Sequence, residues 1–515
     1  MLIETLIRPS PGANPLANPV TEQDTPMPKK IRQTKIVFTI GPASASEEVL
    51  TGLIQRGVDV CRFNMAHASH EWFFETAERV RSVCAKSGRE ISLMMDVKGP
   101  EIRTRTVHEP IMLLKGDLVE FSHQPSDHVA HECERLGEYP DQRFFKFGVN
   151  YHGFATDLAV GSEVLVDSGM IRTKVLAKNK SSVLCQVVIP GTIGSRRHIN
   201  LPGVNVDLPA LTEKDFRDVE AGVKAGVDQF ALSFVRQASD LTKLRGILDS
   251  HGSKARIVAK IEDQSGVHNL QEIIDTADGI MVARGDLGIE VPFEKLPIFQ
   301  RRAVEQSLAS NKPVIIATHM LESMISSPVP TRAEITDVSN AVRELADCVM
   351  LSGETTVGTY PEKCVDVLNR IIFTLQDDRS ESLDVQMQLK TPKEKLMRSC
   401  VSLAEDLAEG EGNAGIIVFT ATGDLASLLS SMRPKGCPVF AFTNNRETFF
   451  RMMMFWGIEP FMIEFDENPE QTIYNAFKQL KEKNWAEVGD QMVIVTNVVS
   501  VMDKIIDSMQ VRPLE

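Results

Sequence analysis

No apolar run in the sequence approaches the roughly 20 residues that a membrane-spanning helix needs, so the chain does not read as a membrane protein. There is no Cys-x-x-Cys pair. The 8 cysteines, Cys61, Cys84, Cys133, Cys185, Cys348, Cys364, Cys400 and Cys437, are scattered without regular spacing, as expected of buried reduced thiols in a cytoplasmic protein. A basic stripe is missing too. The net charge of -14 argues against a nucleic-acid surface, because phosphate backbones need gathered positive charge. Any anionic substrate must therefore be held by a few locally assembled Arg and Lys. Residues 1–34 are rich in Pro and Asn with little periodicity and carry Glu4, Glu22 and Asp24. They lack an apolar signal core and an arginine-rich helix, so import is not indicated. This leader is expected to be disordered, and its removal to cost little activity.

What is present is ordinary soluble composition, 43% hydrophobic and 24% charged over 515 residues, enough for about three domains at roughly 150 residues each. From Lys35 short apolar runs alternate with amphipathic ones: 35–40, 58–64, 91–96, 230–235, 256–262, 279–284, 313–318 and 348–352. Eight such strands predict a (β/α)8 TIM barrel over 35–104 and 202–380. Helix starts are marked by Thr212-x-x-Asp215 and Thr331-x-x-Glu334, both capping-box patterns. Polar residues fall at or just past the strand ends: Arg62 and Asn64, Asp96 and Lys98, Ser233, Lys260 and Glu262, Arg284 and Asp286, Thr318, Ser352 and Glu354. In a closed barrel those ends share one rim, where barrel active sites lie.

The most informative stretch runs from Arg256 to Gly288. It reads as a strand ending in Lys260 and Glu262, a helical run with Val267, Leu270, Ile273 and Ile274 on one face, and a second strand ending in Arg284 and Asp286. Parallel strands of a βαβ unit open on the same side. Two carboxylates there suit a hard divalent ion that takes its other ligands from water and a phosphorylated substrate, and the lysine can neutralise a phosphoryl group in transit. Taken alone, a strand ending in Lys-x-Glu is more often a solvated salt bridge. Residues 105–201 show short β segments with Gly punctuation and are expected to form a small β-barrel lid that excludes water on closure. Residues 381–515 form a further α/β region, with strands expected at 416–421, 438–443, 460–465 and 491–497.

From Thr34 to the C-terminus the chain resembles the pyruvate kinases. The resemblance is carried, in order, by TKIVFTIGPAS, RFNMAH, MDVKGPEIRT, INLPGVNVDLPALTEKD, AKIED, MVARGDLGIE, ATHMLESM, PTRAE and LSGETTVGTYP. It implies transfer of the phosphoryl group of phosphoenolpyruvate to ADP, the last step of glycolysis, by a cytoplasmic homotetramer. By similarity Glu262 and Asp286 hold Mg2+ or Mn2+, Lys260 stabilises the migrating phosphoryl, and Arg62 binds phosphate. Gly285 and Asp286 match backbone contacts to the substrate carboxylate, as a helix N-terminus can make, and Thr318 stands on its other side. Asn64, His67, Arg103 and Arg197 match nucleotide contacts, and Asp167 a lid residue that swings in. A lone His67 would otherwise be read as a structural histidine.

Two departures stand out. Potassium in the family is held by Asn, Ser and Asp side chains and a main-chain carbonyl; here the positions are Asn64, Ala66, Asp96 and Val97, so one hydroxyl is gone. Glu101 still matches the potassium-dependent pattern, and the expectation is a retained but weakened K+ requirement. In the C-terminal region TATGDLA puts Asp424 and Leu425 where a sugar-bisphosphate loop would want a neutral or basic residue and a hydroxyl. A carboxylate beside a phosphate repels it, so activation by fructose 1,6-bisphosphate is not expected. The alternatives are another divalent-metal barrel enzyme of phosphoenolpyruvate or pyruvate, such as an aldolase, and a catalytically inactive regulatory homologue.

Overall fold

The computed structural model describes residues 31–124, 131–133, 137–378, 389–410, 413–499 and 505–515. Eight parallel strands close into a barrel: Lys35–Thr39, Val60–Asn64, Ser92–Val97, Gln229–Leu232, Arg256–Ile261, Gly279–Ala283, Val314–Ala317 and Cys348–Leu351. The eighth pairs back onto the first, with Lys35 opposite Cys348. Every strand expected from the sequence is a stave of this barrel. Both expected capping boxes are made, at Thr212 and Thr331. The helical run after the fifth strand is broken into Gln264–His268 and Leu270–Thr276, because Asn269 turns its side-chain amide to the Arg236 carbonyl at 2.7 Å. Its apolar face is nonetheless buried as expected.

Side-chain alternation along the staves decides what the barrel encloses. Ile257, Ala259 and Ile261 face the helices, while Val258 lies in the interior with Val37, Val60, Met94, Ala231, Met281, Ile315 and Met350. Two residues further along the same inward rows come Thr39, Arg62, Asp96, Ser233 and Lys260, all buried. An apolar plug thus carries a polar layer directly above it.

The insert between the third and fourth staves is all-β. Seven strands form one sheet and two more a ribbon, Ile111–Leu113 with Gly191–Ile193. The end strands of the larger sheet, Ile199–Asn200 and His131–Cys133, are not paired with each other among the described residues, so the expected small barrel is a seven-stranded sheet there. The C-terminal region holds a five-stranded sheet of Ala414–Phe419, Val439–Thr443, Ile458–Met462, Gln491–Val499 and Ile505–Pro513. The last strand was not foreseen, since an antiparallel edge strand alternates less clearly than a buried parallel one and Asp507, Gln510 and Arg512 interrupt it.

This C-terminal domain covers the N-terminal mouth of the barrel. Met454 joins the barrel interior, Lys35 Nζ donates to the Ile458 carbonyl at 2.7 Å, and buried Arg433 grips Asp347 at 2.8 and 3.0 Å. The opposite mouth is left for chemistry. Residues 1–30 and the polar stretch at 379–388 lie outside the described residues. The end of the expected leader does not fit a disordered reading: Ile31 is buried in the C-terminal core, and Arg32 is paired with Asp59.

Candidate active site

At the C-terminal mouth five staves deliver one connected polar cluster. Lys260 Nζ lies 2.9 Å from Glu262 Oε1, 3.2 Å from Asp96 Oδ1 and 2.7 Å from Ser233 Oγ. Asp96 Oδ2 accepts from Arg62 Nε at 2.7 Å, and Arg62 Nη1 donates to Thr39 Oγ1 at 2.8 Å. The second oxygen of Glu262 accepts the Phe234 amide at 2.7 Å. Strand register explains the assembly: Arg62 and Asp96 sit on neighbouring staves, and Asp96 is opposite Ala231, one step before the residue preceding Ser233.

Charge in this cluster is unevenly shared. Burial works against the Lys260 ammonium, but Asp96 and Glu262 outweigh it and hold the lysine above its ordinary value. Asp96 is opposed by burial and is still kept below the usual carboxylate range by Arg62 and Lys260. Glu262 is pushed up to about 7, first by burial and then by Asp286 and Asp96, against the pull of Lys260. With Asp286 acting on the cluster, three carboxylates stand against two cations, Lys260 and Arg62. Among the described residues no group of three or more His, Cys, Asp or Glu stands ready to hold an ion. Glu262 with Asp286 accordingly fits a hard cation that brings further oxygen ligands with it, and does not fit a closed protein cage.

Asp286 lies in the short helix Arg284–Glu290 that follows the sixth stave. At the start of that helix the Gly285 amide donates to Thr318 Oγ1 at 2.7 Å, and Thr318 Oγ1 donates to the Ala317 carbonyl at 2.6 Å. Thr318 and His319 both have left-handed backbones, with φ of 68° and 55°, an uncommon conformation that clusters at functional loops. Arg284 holds them there. It turns away from Lys260, donating to the Thr318 carbonyl at 2.6 Å and pairing with Asp337 at 2.7 Å, so its expected place beside Lys260, Glu262 and Asp286 is corrected to a supporting one.

The pyruvate kinase barrel-domain family matches residues 31–365, and the pyruvate kinase alpha/beta-domain family matches residues 394–511. The chain belongs to the pyruvate kinase family. A chloroplastic pyruvate kinase isozyme G of Nicotiana tabacum is 38% identical over 465 residues, 90% of this chain and 80% of the relative. The pyruvate kinase of Dictyostelium discoideum is 37% identical, over 92% of this chain and 93% of its own length. A solved pyruvate kinase of Cryptosporidium parvum superposes with a TM-score of 0.83 at 33% identity, covering 94% of this chain and 96% of that one. As a pyruvate kinase this protein is an enzyme that transfers a phosphoryl group from phosphoenolpyruvate to ADP; the aldolase and inactive-homologue readings are set aside.

Pyruvate kinase positions expected to meet the nucleotide lie along the lid hinge and the loop after the second stave. Arg103 pairs with Glu101 at 2.6 Å and donates to the Arg196 carbonyl at 2.6 Å; Arg197 is exposed and reaches Asp167 at 3.3 Å. His67 is exposed as well. Of the expected potassium set, Asn64 and Asp96 are register partners. Their oxygens already have donors, Asn64 Oδ1 from the Ala66 amide at 3.1 Å and the Val97 carbonyl from the Ser233 amide at 3.3 Å. With Ala66 in place of a hydroxyl, this set offers a monovalent cation one oxygen fewer than the family pattern. In sequence Ser233 stands out only as a rim residue, and nothing there marks Thr39, the Phe234 amide or Asn200, which ties the lid hinge to Glu290 at 2.8 Å. Such links join residues far apart in the chain, and no local pattern announces them.

Proposed function

We propose that phosphoryl transfer takes place at the C-terminal mouth, with Lys260 on the group in transit and Arg62 on its phosphate oxygens. The observation that carries this reading is the chain of contacts that joins Arg62 to Asp96, Asp96 to Lys260 and Lys260 to Glu262. Transfer of this kind needs positioning and charge neutralisation more than a strong acid or base. Lys260 supplies a buried ammonium donor held above its ordinary value by Asp96 and Glu262, and Arg62 a guanidinium braced through Nε and Nη1. Glu262 and Asp286 would hold a divalent cation, magnesium or manganese, which when bound offsets the excess carboxylate and the substrate's phosphate charge. The Gly285 and Asp286 amides and Thr318 would meet the substrate carboxylate, the Gly285 amide exchanging its present bond to Thr318 for the ligand.

Asn64, His67, Arg103 and Arg197 would contact ADP as the lid closes. Asn64, Asp96 and Val97 would take potassium, weakly for want of a hydroxyl at Ala66. We assign the barrel to 35–104 and 202–380, the lid to 105–201 and the C-terminal domain to 381–515. The family resemblance supports assembly as a homotetramer. A cytoplasmic location is supported by cysteines that form no disulfide among the described residues, as suits a reducing compartment. Separately, no described helix is long and apolar enough to cross a membrane. The test is pyruvate formation, coupled to lactate dehydrogenase, with phosphoenolpyruvate, ADP, Mg2+ and K+ present and each omitted in turn. Turnover indifferent to the divalent ion would refute the metal assignment.

A further inference from the structure

Lys260 has three N–H donors, and the structure gives each an acceptor: Asp96, Glu262 and Ser233. Two of these are carboxylates, Asp96 on the third stave and Glu262 two residues beyond Lys260 on its own segment, and their pull keeps the ammonium ionised. The third is neutral, and it is the shortest contact, 2.7 Å. Ser233 Oγ in turn donates to Asp96 Oδ1 at 3.2 Å, so the hydroxyl is oriented with its lone pairs toward the lysine. The side chain has no freedom to leave this post: the residue is 4% exposed, and its amide is bonded to the Val97 carbonyl.

The backbone around it is held with equal closeness. Phe234 has a φ of 53°, a left-handed conformation that residues with a Cβ adopt only at a cost. That turn sends the Phe234 amide to Glu262 at 2.7 Å. Gly99, with φ of 68°, packs so tightly that a Cβ there would stand 3.1 Å from the Ser233 carbonyl oxygen. One left-handed turn thus sets the hydroxyl that meets Lys260 and the amide that meets Glu262. A serine serving only to finish a strand would not require its neighbour to adopt such a backbone.

We propose that Ser233 is a positioning residue for Lys260, aiming its ammonium at the phosphoryl group through a hydroxyl fixed by the Ser233–Phe234 turn. The proposal rests on the reading of Lys260 given above. Asp96 and Glu262 would draw the ammonium toward themselves; the neutral hydroxyl holds it without competing for charge.

The test compares Ser233→Ala, Ser233→Thr, Lys260→Met and the double variant Ser233→Ala/Lys260→Met in the same coupled assay, with thermal melting on each preparation. Ser233→Ala is expected to lower kcat about ten- to a hundredfold, the range for one hydrogen bond to a charged group, with the KM for ADP unchanged. Ser233→Thr, which retains the hydroxyl, recovers most of that loss. The double variant is no slower than Lys260→Met alone, because the serine acts through the lysine. A folded Ser233→Ala enzyme with wild-type kcat, or losses that multiply in the double variant, would overturn the proposal. Substantial turnover in Lys260→Met would instead overturn the reading of Lys260, so the two failures are distinct.

Discussion

Replacing Lys260 by methionine removes the charge on which the proposed chemistry depends while keeping a chain of similar length. Three contacts disappear, to Asp96, Glu262 and Ser233. Asp96 keeps Arg62 at 2.7 Å, and Glu262 keeps the Phe234 amide at 2.7 Å and faces the divalent cation it would hold. The variant therefore avoids most of the roughly 3–5 kcal/mol that breaking a buried ion pair costs when the orphaned partner is left uncompensated, and it should fold. Catalysis has no such escape. Loss of one preorganised donor costs about 10²–10³ in kcat, and a full positive charge facing a phosphoryl group in transit lies at the upper end, about 4 kcal/mol of barrier. The assay is kcat for pyruvate formation, with Mn2+ affinity and the KM for phosphoenolpyruvate measured on the same preparation. Both are expected to stay near wild type while turnover collapses. Turnover within about fivefold of wild type, equivalent to only about 1 kcal/mol, would refute the role given to Lys260.

Further outcomes follow from individual contacts. Glu290, pushed up to about 7 by burial and by Asp263 and Asp286 against its bond to Asn200, holds its proton in the folded state well above the pH at which the unfolded chain releases it. Its contribution is therefore full below about pH 4.5 and lost as pH rises through about 7. Relative to wild type, Glu290→Gln should gain up to ~3 kcal/mol in stability between pH 4.5 and 8, read as a difference in melting temperature that widens with pH; a constant difference would contradict it. Fructose 1,6-bisphosphate should leave the half-saturation for phosphoenolpyruvate unmoved, because Asp424 opens the helix Asp424–Ser431 with its carboxylate beside Thr422 and 3.1 Å from Arg451. A clear leftward shift on adding the bisphosphate would overturn that. Ala66→Ser should lower the K+ concentration needed for half-maximal activity by restoring a hydroxyl near Asn64 and Asp96, and an unchanged K+ titration would show that the cation binds elsewhere.

Much of this was legible in the chain itself. Eight apolar runs became eight staves because a parallel barrel strand, buried on both faces, must be apolar almost throughout, and that leaves a strong local signal. Rim residues were legible for the same reason: a charge at the end of an apolar run, as at Lys260 and Glu262, has to emerge where the strand does. Capping boxes at Thr212 and Thr331 are matters of three-residue spacing and needed no tertiary context. The edge strand Ile505–Pro513 carried no such signal, and the leader's boundary was drawn past Ile31 and Arg32, whose burial depends on partners in the C-terminal domain and at Asp59.

Tertiary structure decided which rim residues act together. Lys260, Glu262 and Arg284 are indistinguishable as charges at strand ends, yet closure of the barrel turns Lys260 inward and sends Arg284 out to Asp337. Inward or outward is fixed by the parity of a residue within its strand once the barrel direction is known, and parity across eight separate segments is set only by their hydrogen-bonded register. The same register brings Ser233 onto Lys260 and the Phe234 amide onto Glu262, contacts between residues nearly 30 positions apart that local pattern cannot encode.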